Sequence, residues 1–115
     1  MRVLVTGGSG FIGSALCRHF VIERGATVLN ADALTYAAAP GTLADLEANP
    51  AYSFARADIR DAAAMGDLVA SFKPDAIVNA AAESHVDRSI SAPRDFLDTN
   101  VNGVFVMLQA ARTYW

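Results

Sequence analysis

The sequence predicts an α/β fold in which helices cover both faces of a parallel sheet. Strand-like runs begin near residues 2, 27, 52 and 75, and helical or loop segments separate them, which is the rhythm of βαβ units. The composition agrees, since 53% of the residues are hydrophobic and 18% are charged. The first strand also runs directly into a glycine-rich turn and a helix, the arrangement that opens a doubly wound, Rossmann-type sheet. We expect a single domain over residues 1–115, truncated after about four strands.

The glycine-rich turn lies within residues 3–13, VLVTGGSGFIG. Gly8, Gly10 and Gly13 match the GxGxxG spacing of dinucleotide-binding turns. Gly7, Gly10 and Gly13 also match the GxxGxxG spacing of short-chain dehydrogenase/reductase proteins. One glycine allows the tight turn, the next lets backbone approach a pyrophosphate, and the last lets the helix pack closely. The alternative is a turn of the same shape that binds no ligand.

An acidic residue at the end of the second strand is the other half of this fingerprint. The first helix is predicted from Phe11 to Arg24, with Gly25 ending it and the second strand following over residues 27–31. Asp32 then stands where a carboxylate accepts hydrogen bonds from the adenosine ribose. No Arg or Lys lies between Asp32 and Tyr52, so NAD is favoured over NADP as the cofactor. Asp32 as a simple turn former is the alternative.

The middle of the chain predicts one loop, one strand and one helix. Residues 33–50 read as a loop with a short helix over Leu43 to Ala48. The third strand is predicted from Tyr52 to Ala57. Asp61 is placed to cap a helix that runs through Phe72.

The last part predicts a fourth strand and a long helix. Residues 76–82 are apolar apart from one Asn, as in a strand covered on both faces, and the order 3-2-1-4 leaves this strand at an edge. Ser91 and Pro93 read as the N-cap and first turn of the last helix. Its main apolar face comprises Leu97, Val101, Val104, Phe105, Leu108 and Ala111. A second face, formed by Phe96, Gly103 and Met107, fits a subunit contact or packing within the domain equally well.

Charge and cysteine content exclude several classes of protein. The net charge of −3 and the scattered arginines argue against a nucleic-acid surface. No apolar run approaches the length of a membrane span and no leader is visible, so we expect a cytoplasmic protein. Cys17 is the only cysteine, and it reads as a buried core thiol. No metal site is predicted.

A polar segment, residues 83–89, follows the fourth strand at the carboxyl edge of the sheet, where open α/β sheets bind ligands. It fits a solvated loop and a substrate-binding loop equally well. His85 within it is either a base or an exposed loop residue, whereas His19 on the first helix reads as a surface or packing residue.

Several segments together resemble the amino-terminal part of the dTDP-glucose 4,6-dehydratase family, which belongs to the extended short-chain dehydrogenases/reductases. The segments are residues 3–13, 32–37 (DALTYA), 57–59 (ADI), 81–90 (AAESHVDRSI) and 99–101 (TNV). The string over 81–90 discriminates best, because the related UDP-glucose 4-epimerases share the glycine-rich turn but usually lack that string.

The resemblance implies a set of cofactor-binding residues along the carboxyl edge of the sheet. Gly7, Gly10, Phe11, Ile12 and Gly13 would lie at the pyrophosphate, and Asp32, Ala33, Leu34 and Thr35 at the adenosine ribose. Asp58 and Ile59 would lie at the adenine, and residues 80–84, among them Ala80, Ala81, Ala82 and Ser84, along the nicotinamide half. Thr99 would line the cofactor, and Ser84 would also touch the sugar nucleotide.

The resemblance also implies a reaction and partners. NAD would take a hydride from C4 of dTDP-glucose, water would leave across C5–C6, and the hydride would return to C6 to give a 4-keto-6-deoxy sugar. The resemblance further implies a homodimer whose subunits pack through helices. The alternatives are an NAD-dependent nucleotide-sugar epimerase, a non-catalytic NAD-binding or redox-sensing module, and an inert interaction domain.

The Tyr-x-x-x-Lys pair of this family has no match in the chain. Lys73 is the only lysine, and Val69 stands four positions before it. No catalytic residue is therefore predicted within residues 1–115. We expect the pair and the sugar-nucleotide domain to follow Trp115 in a longer protein, which would leave this chain inactive as a dehydratase.

Overall fold

Parallel strands form one sheet in the order β3-β2-β1-β4. A computed structural model of the chain describes residues 1–34, 41–83 and 86–115, with residues 86–88 described by their backbone alone. The strands are β1 (Arg2–Thr6), β2 (Thr27–Asp32), β3 (Tyr52–Arg56) and β4 (Ala76–Asn79). The predicted Rossmann-type α/β fold and its strand order are confirmed.

The first helices follow the sequence prediction closely. Helix α1 spans Phe11–Arg18 and continues as a π-helical turn over His19–Glu23, and Gly25 follows it with φ +63°. Helix α2 spans Ala62–Phe72, and the Asp61 carboxylate caps it by accepting a hydrogen bond of 3.1 Å from the Ala64 amide. A glycine after a helix, such as Gly25, and a capping carboxylate, such as Asp61, are short-range signals, so the sequence predicts these helix boundaries well.

The carboxyl-terminal part is helical in several pieces. Helix α3 spans Val86–Ser91, α4 spans Pro93–Leu97, a π-helical turn spans Asp98–Asn102, and α5 spans Gly103–Tyr114. The predicted N-cap is wrong, because Ser91 ends α3 and Ala92 precedes α4. The predicted loop over residues 83–89 is wrong from Val86 onward, where the backbone is helical.

Side chains of β1 alternate between two hydrophobic clusters on opposite faces of the sheet. Leu4 belongs to the cluster that includes α2 and α5, whereas Val3 and Val5 belong to the cluster that includes α1. Cys17 is fully buried in the second cluster, as predicted, and burial raises the pKa of its thiol to about 12. His19 is exposed, also as predicted, and lies 3.1 Å from the Glu23 carboxylate.

The buried face of α5 is the reverse of the main face predicted from the sequence. Met107 and Ala110 lie in the core, and Gly103 is buried against Ile59. Leu97, Val101, Val104, Phe105 and Leu108, which form most of the predicted face, are exposed. Two residues of the second predicted face, Gly103 and Met107, therefore pack within the domain, whereas its third residue, Phe96, is half-buried.

The segment before β3 differs from the predicted short helix over Leu43 to Ala48. Residues 41–48 form consecutive turns, in which Ala44 N donates to the Gly41 carbonyl and Leu46 N to the Leu43 carbonyl. Leu43 and Leu46 are both buried, and their spacing of three residues suits i→i+3 turns better than an α-helix.

Strand β4 is shorter than the predicted 76–82. Its neighbour β1 ends at Thr6, so the backbone hydrogen bond of 3.1 Å from Ala80 N to the Thr6 carbonyl comes just after the paired residues. Residues 76–78 are half-buried rather than buried because the strand lies at the edge of the sheet. Across the described ranges, none of the helices combines the length and hydropathy that a membrane span requires.

Candidate functional site

The glycine-rich turn leaves β1 at the carboxyl edge of the sheet and is held there by backbone hydrogen bonds. Gly7 has φ +68°, a conformation that favours glycine, and its amide donates to the Ala31 carbonyl at 2.8 Å. Gly10 N donates to the Gly7 carbonyl at 3.1 Å, which closes the turn. The turn is thereby joined to β2 before α1 begins.

Gly10 and Gly13 have different roles, because the space around their Cβ positions differs. A Cβ atom on Gly13 would overlap the Gly7 carbonyl, so this glycine allows the helix to pack against the turn. Among the described residues, a Cβ atom on Gly10 would have the Gly7 carbonyl oxygen as its one neighbour within 4 Å, at 3.3 Å. Gly10 therefore faces open space in the fold, where a ligand can approach its backbone.

The amino terminus of α1 opens toward the same space. Gly10 is its N-cap and supplies no side-chain acceptor. Phe11 and Ile12 in the first turn are 93% and 67% exposed. The first amide groups of an uncapped helix and the positive end of its dipole form a ready site for an anion such as a pyrophosphate.

Asp32 ends β2 and connects two turns. Its side chain accepts hydrogen bonds from Ser9 N at 2.9 Å and from Leu34 N at 2.7 Å, and only 8% of the residue is exposed. Leu34 has φ +56°, and the hydrogen bond to Asp32 helps to hold it there. The alternative reading of Asp32 as a turn former thus describes part of its role, while its carboxylate also lines the cavity described next.

A cavity of about 350 Å³ lies at the carboxyl ends of the strands, within the size range of small-molecule sites. Thirteen of the predicted residues line it: Gly7, Gly10, Phe11, Ile12, Gly13, Asp32, Ala33, Asp58, Ile59, Ala80, Ala81, Ala82 and Thr99. The remaining lining residues are Ala31, Ala57, Arg60 and Glu83. One cavity therefore joins the glycine-rich turn, the β2 carboxylate and the segment after β4.

Three predicted residues are not among the described lining residues. Leu34 lies instead on a second cavity, of about 440 Å³, together with Ser9 and Tyr52. Thr35 and Ser84 lie outside the described residues, as does His85. The roles of Ser84, Thr35 and His85 therefore stay predictions from the sequence.

Arg60 was missed by the sequence analysis, although its spacing from Asp58 is a usable signal. The Arg60 guanidinium lies 2.7 Å from the Asp58 carboxylate, and Arg60 N donates to the same carboxylate at 2.9 Å. The hydrogen bond to this guanidinium lowers the pKa of Asp58, and the same bond raises the pKa of Arg60. This ion pair therefore forms part of the cavity lining, next to Ile59.

Asn100 holds the segment after β4 where that segment lines the cavity. Its side chain accepts a hydrogen bond from Glu83 N and donates one to the Glu83 carbonyl, each at 2.8 Å. This two-point contact fixes the backbone after β4 beside the helical segment that carries Thr99. Among the described lining residues there is no Tyr, Lys or His, and the ionisable side chains are those of Asp32, Asp58, Arg60 and Glu83.

Sequence comparisons identify the family. The model of the GDP-mannose 4,6 dehydratase family matches residues 4–115. The dTDP-glucose 4,6-dehydratase of Shigella flexneri is 51% identical over the whole chain, which corresponds to 32% of that protein. A probable dTDP-glucose 4,6-dehydratase of Sinorhizobium fredii is 54% identical, with 33% of its length covered. The chain spans about a third of the length of these curated relatives.

Solved structures agree with the sequence comparisons. A dTDP-glucose 4,6-dehydratase from Streptomyces venezuelae, crystallised with NAD bound, is 44% identical, with a TM-score of 0.89 over 96% of this chain and 35% of that one. The UDP-glucose 4-epimerase of Thermus thermophilus in complex with NAD is 32% identical, with a TM-score of 0.86 over 99% of this chain and 34% of that one. The predicted resemblance to dTDP-glucose 4,6-dehydratases is confirmed, and the chain belongs to the GDP-mannose 4,6 dehydratase family.

Proposed function

We propose that residues 1–115 are an NAD-binding domain of a nucleotide-sugar 4,6-dehydratase that acts on dTDP-glucose. The observation that carries this proposal is the single cavity that contains both the open face of Gly10 and the carboxylate of Asp32. The relatives at 51% and 54% identity are dTDP-glucose dehydratases or probable ones, which supports this substrate over others.

The cofactor would lie along the cavity. Its pyrophosphate would contact the Gly10 backbone and the first turn of α1, and its adenosine ribose would bind Asp32. Asp58 and Ile59 would flank the adenine, and residues 80–82 would run beside the nicotinamide half. Bound NAD would supply a hydride acceptor for the sugar, while these residues hold and orient it. Ser84 would reach the sugar nucleotide.

Asp32 would select NAD over NADP. A 2′-phosphate at the ribose would meet this carboxylate, whose two described partners are backbone amides rather than a cation. The homodimer, the cytoplasmic location and the absence of catalysis by this chain alone also stay predictions.

Calorimetric titration of the purified chain with NAD and NADP tests the proposal. NAD is expected to bind more tightly than NADP, and Asp32→Ala should weaken NAD binding by about 1–3 kcal/mol, the contribution of hydrogen bonds to a charged acceptor. Asp61→Ala is the matched control, because it removes a carboxylate that caps α2 outside the cavity lining and should lower stability without changing NAD affinity. Equal or tighter NADP binding by the unmodified chain contradicts the proposal.

A nucleotide-sugar epimerase is the second candidate, favoured by the likeness to the Thermus thermophilus epimerase. The lower identity of 32% is the reason to rank it second. Conversion of dTDP-glucose or UDP-glucose by a protein that carries this domain, followed by product analysis, separates a 4-keto-6-deoxy sugar from a 4-epimer.

A further inference from the structure

Asn30 is a fully buried polar side chain directly beneath the glycine-rich turn. It lies in the middle of β2, with Val5 of β1 as its neighbour on one side and Phe54 of β3 on the other. The buried residues Val5, its partner on β1, and Val28, two positions before it on β2, are apolar, so an amide here must be compensated by hydrogen bonds.

Both described hydrogen bonds of this amide connect the turn to β3. Asn30 Nδ2 donates to Ser9 Oγ and to the Tyr52 hydroxyl, each at 3.1 Å. Its Oδ1 has no hydrogen-bond partner among the described residues and lies against Gly8, where a Cβ atom would overlap it. The amide therefore contacts two consecutive residues of the turn, Gly8 and Ser9, and the Tyr52 hydroxyl on the neighbouring strand β3.

Ser9 is consequently held from two directions. Its amide donates to Asp32, and its hydroxyl accepts from Asn30. Ser9 immediately precedes Gly10, whose backbone borders the cavity. A change in the position of Ser9 would move the Gly10 backbone and the first turn of α1 together.

We propose that Asn30 is a positioning residue for pyrophosphate binding, which acts through Ser9 and Gly8 and is itself anchored by Tyr52. This inference rests on the proposed NAD-binding function. Asn30 makes no contribution to the cavity lining, so its effect on a ligand passes through the turn. Loss of the network should weaken ligands that contain a pyrophosphate more than it weakens adenosine, because Asp32 keeps its hydrogen bond from Leu34 N.

The test compares NAD with adenosine as ligands of the full chain and its variants. Tyr52→Phe keeps the ring and removes the anchoring hydroxyl, and Ser9→Ala removes the hydroxyl that the amide binds. Each is expected to weaken NAD binding about threefold to tenfold, the effect of losing one hydrogen bond, with a smaller loss of adenosine affinity. Asn30→Ala should weaken NAD binding at least as much, and Asn30→Ala with Ser9→Ala should add little because both act through one contact.

Controls separate positioning from general destabilisation. Ser53→Ala alters the next residue of β3, whose hydroxyl lies 3.5 Å from the Val28 carbonyl, and should leave NAD affinity unchanged. If Asn30→Ala does not fold, the Tyr52 and Ser9 variants carry the test. Equal weakening of NAD and adenosine, or unchanged NAD binding in both variants, overturns the positioning role while the proposed function stands. Failure of the unmodified chain to bind NAD overturns both.

Discussion

The backbones of Gly7 and Ala81 pass so close together that a Cβ atom on Gly7 would lie 2.6 Å from Ala81 Cα. Thr6 reinforces the contact, because its hydroxyl donates to the Asn79 side chain and accepts from Ala81 N at 3.4 Å. The end of β1 and the segment after β4 thus form one wall of the cavity. This wall requires glycine at position 7, because a side chain there would overlap the Ala81 backbone.

Gly7→Ala is therefore expected to destabilise the fold by about 2 kcal/mol or more, the scale of backbone strain and overpacking in a closed space. Urea unfolding followed by circular dichroism measures the change. Gly66→Ala is the control, because Gly66 lies within α2 with nothing near its Cβ position and should gain about 1 kcal/mol of stability. A Gly7→Ala protein as stable as the unmodified chain would contradict the described packing.

Gly10→Val should abolish NAD binding and keep the helical content, because its Cβ position is open in the fold and faces the cavity. Gly13→Ala should instead lose the fold, since its Cβ would overlap the Gly7 carbonyl. Far-ultraviolet circular dichroism with calorimetric titration distinguishes the two outcomes. Unchanged NAD affinity in the Gly10 variant would show that the pyrophosphate assignment is wrong.

The ion pair of Asp58 with Arg60 should stabilise the fold in a pH-dependent way. The hydrogen bond to Arg60 holds the folded pKa of Asp58 below its ordinary value of 3.8, so the contribution is present above that value and disappears as the pH falls through the lower folded pKa. Asp58→Asn should lower stability at pH 7 and have no effect in the acid limit below the folded pKa. In an Arg60→Ala background, the same substitution should have a smaller effect at pH 7, because only the Arg60 backbone amide still donates to the carboxylate, as thermal unfolding can test.

The 115-residue chain alone should show no 4,6-dehydratase activity. Its only lysine is Lys73, and no tyrosine stands four positions before it, so the usual acid–base pair is missing. General acid–base catalysis contributes about 10²–10⁴-fold, and loss of sugar positioning should remove still more. The assay follows formation of a 4-keto-6-deoxy sugar from dTDP-glucose with added NAD. Turnover that His85→Ala removes would make His85 the catalyst and overturn this prediction.

Local signals explain how much of the fold and site could be predicted. The glycine spacing, the carboxylate of Asp32 at the end of β2 and the Asp61 cap each act over a few residues, so the sequence alone places them well. The alternation of strands and helices predicts a parallel sheet, and the glycine-rich turn after β1 favours the Rossmann order that the structure has.

Tertiary packing explains what could not be predicted. Both faces of α5 carry apolar residues, and the choice between them is set by Gly103, whose missing side chain lets the helix approach Ile59. Arg60 reaches the cavity through the geometry of the loop after β3, and only its spacing of two residues from Asp58 indicates this in the sequence. The end of β4 depends on where β1 ends, which is information from another part of the chain.

The central place of β1 also determines when the sheet can be completed during synthesis. Arg2 N donates to the Asp75 carboxylate at 2.7 Å across 73 positions of sequence, and Val3 pairs with Ala76. Strand β1 is therefore synthesised about seventy residues before the strand that covers its second edge. Such long-range pairing slows folding, and until β4 arrives the apolar residues of β1 are open to pairing with another nascent chain.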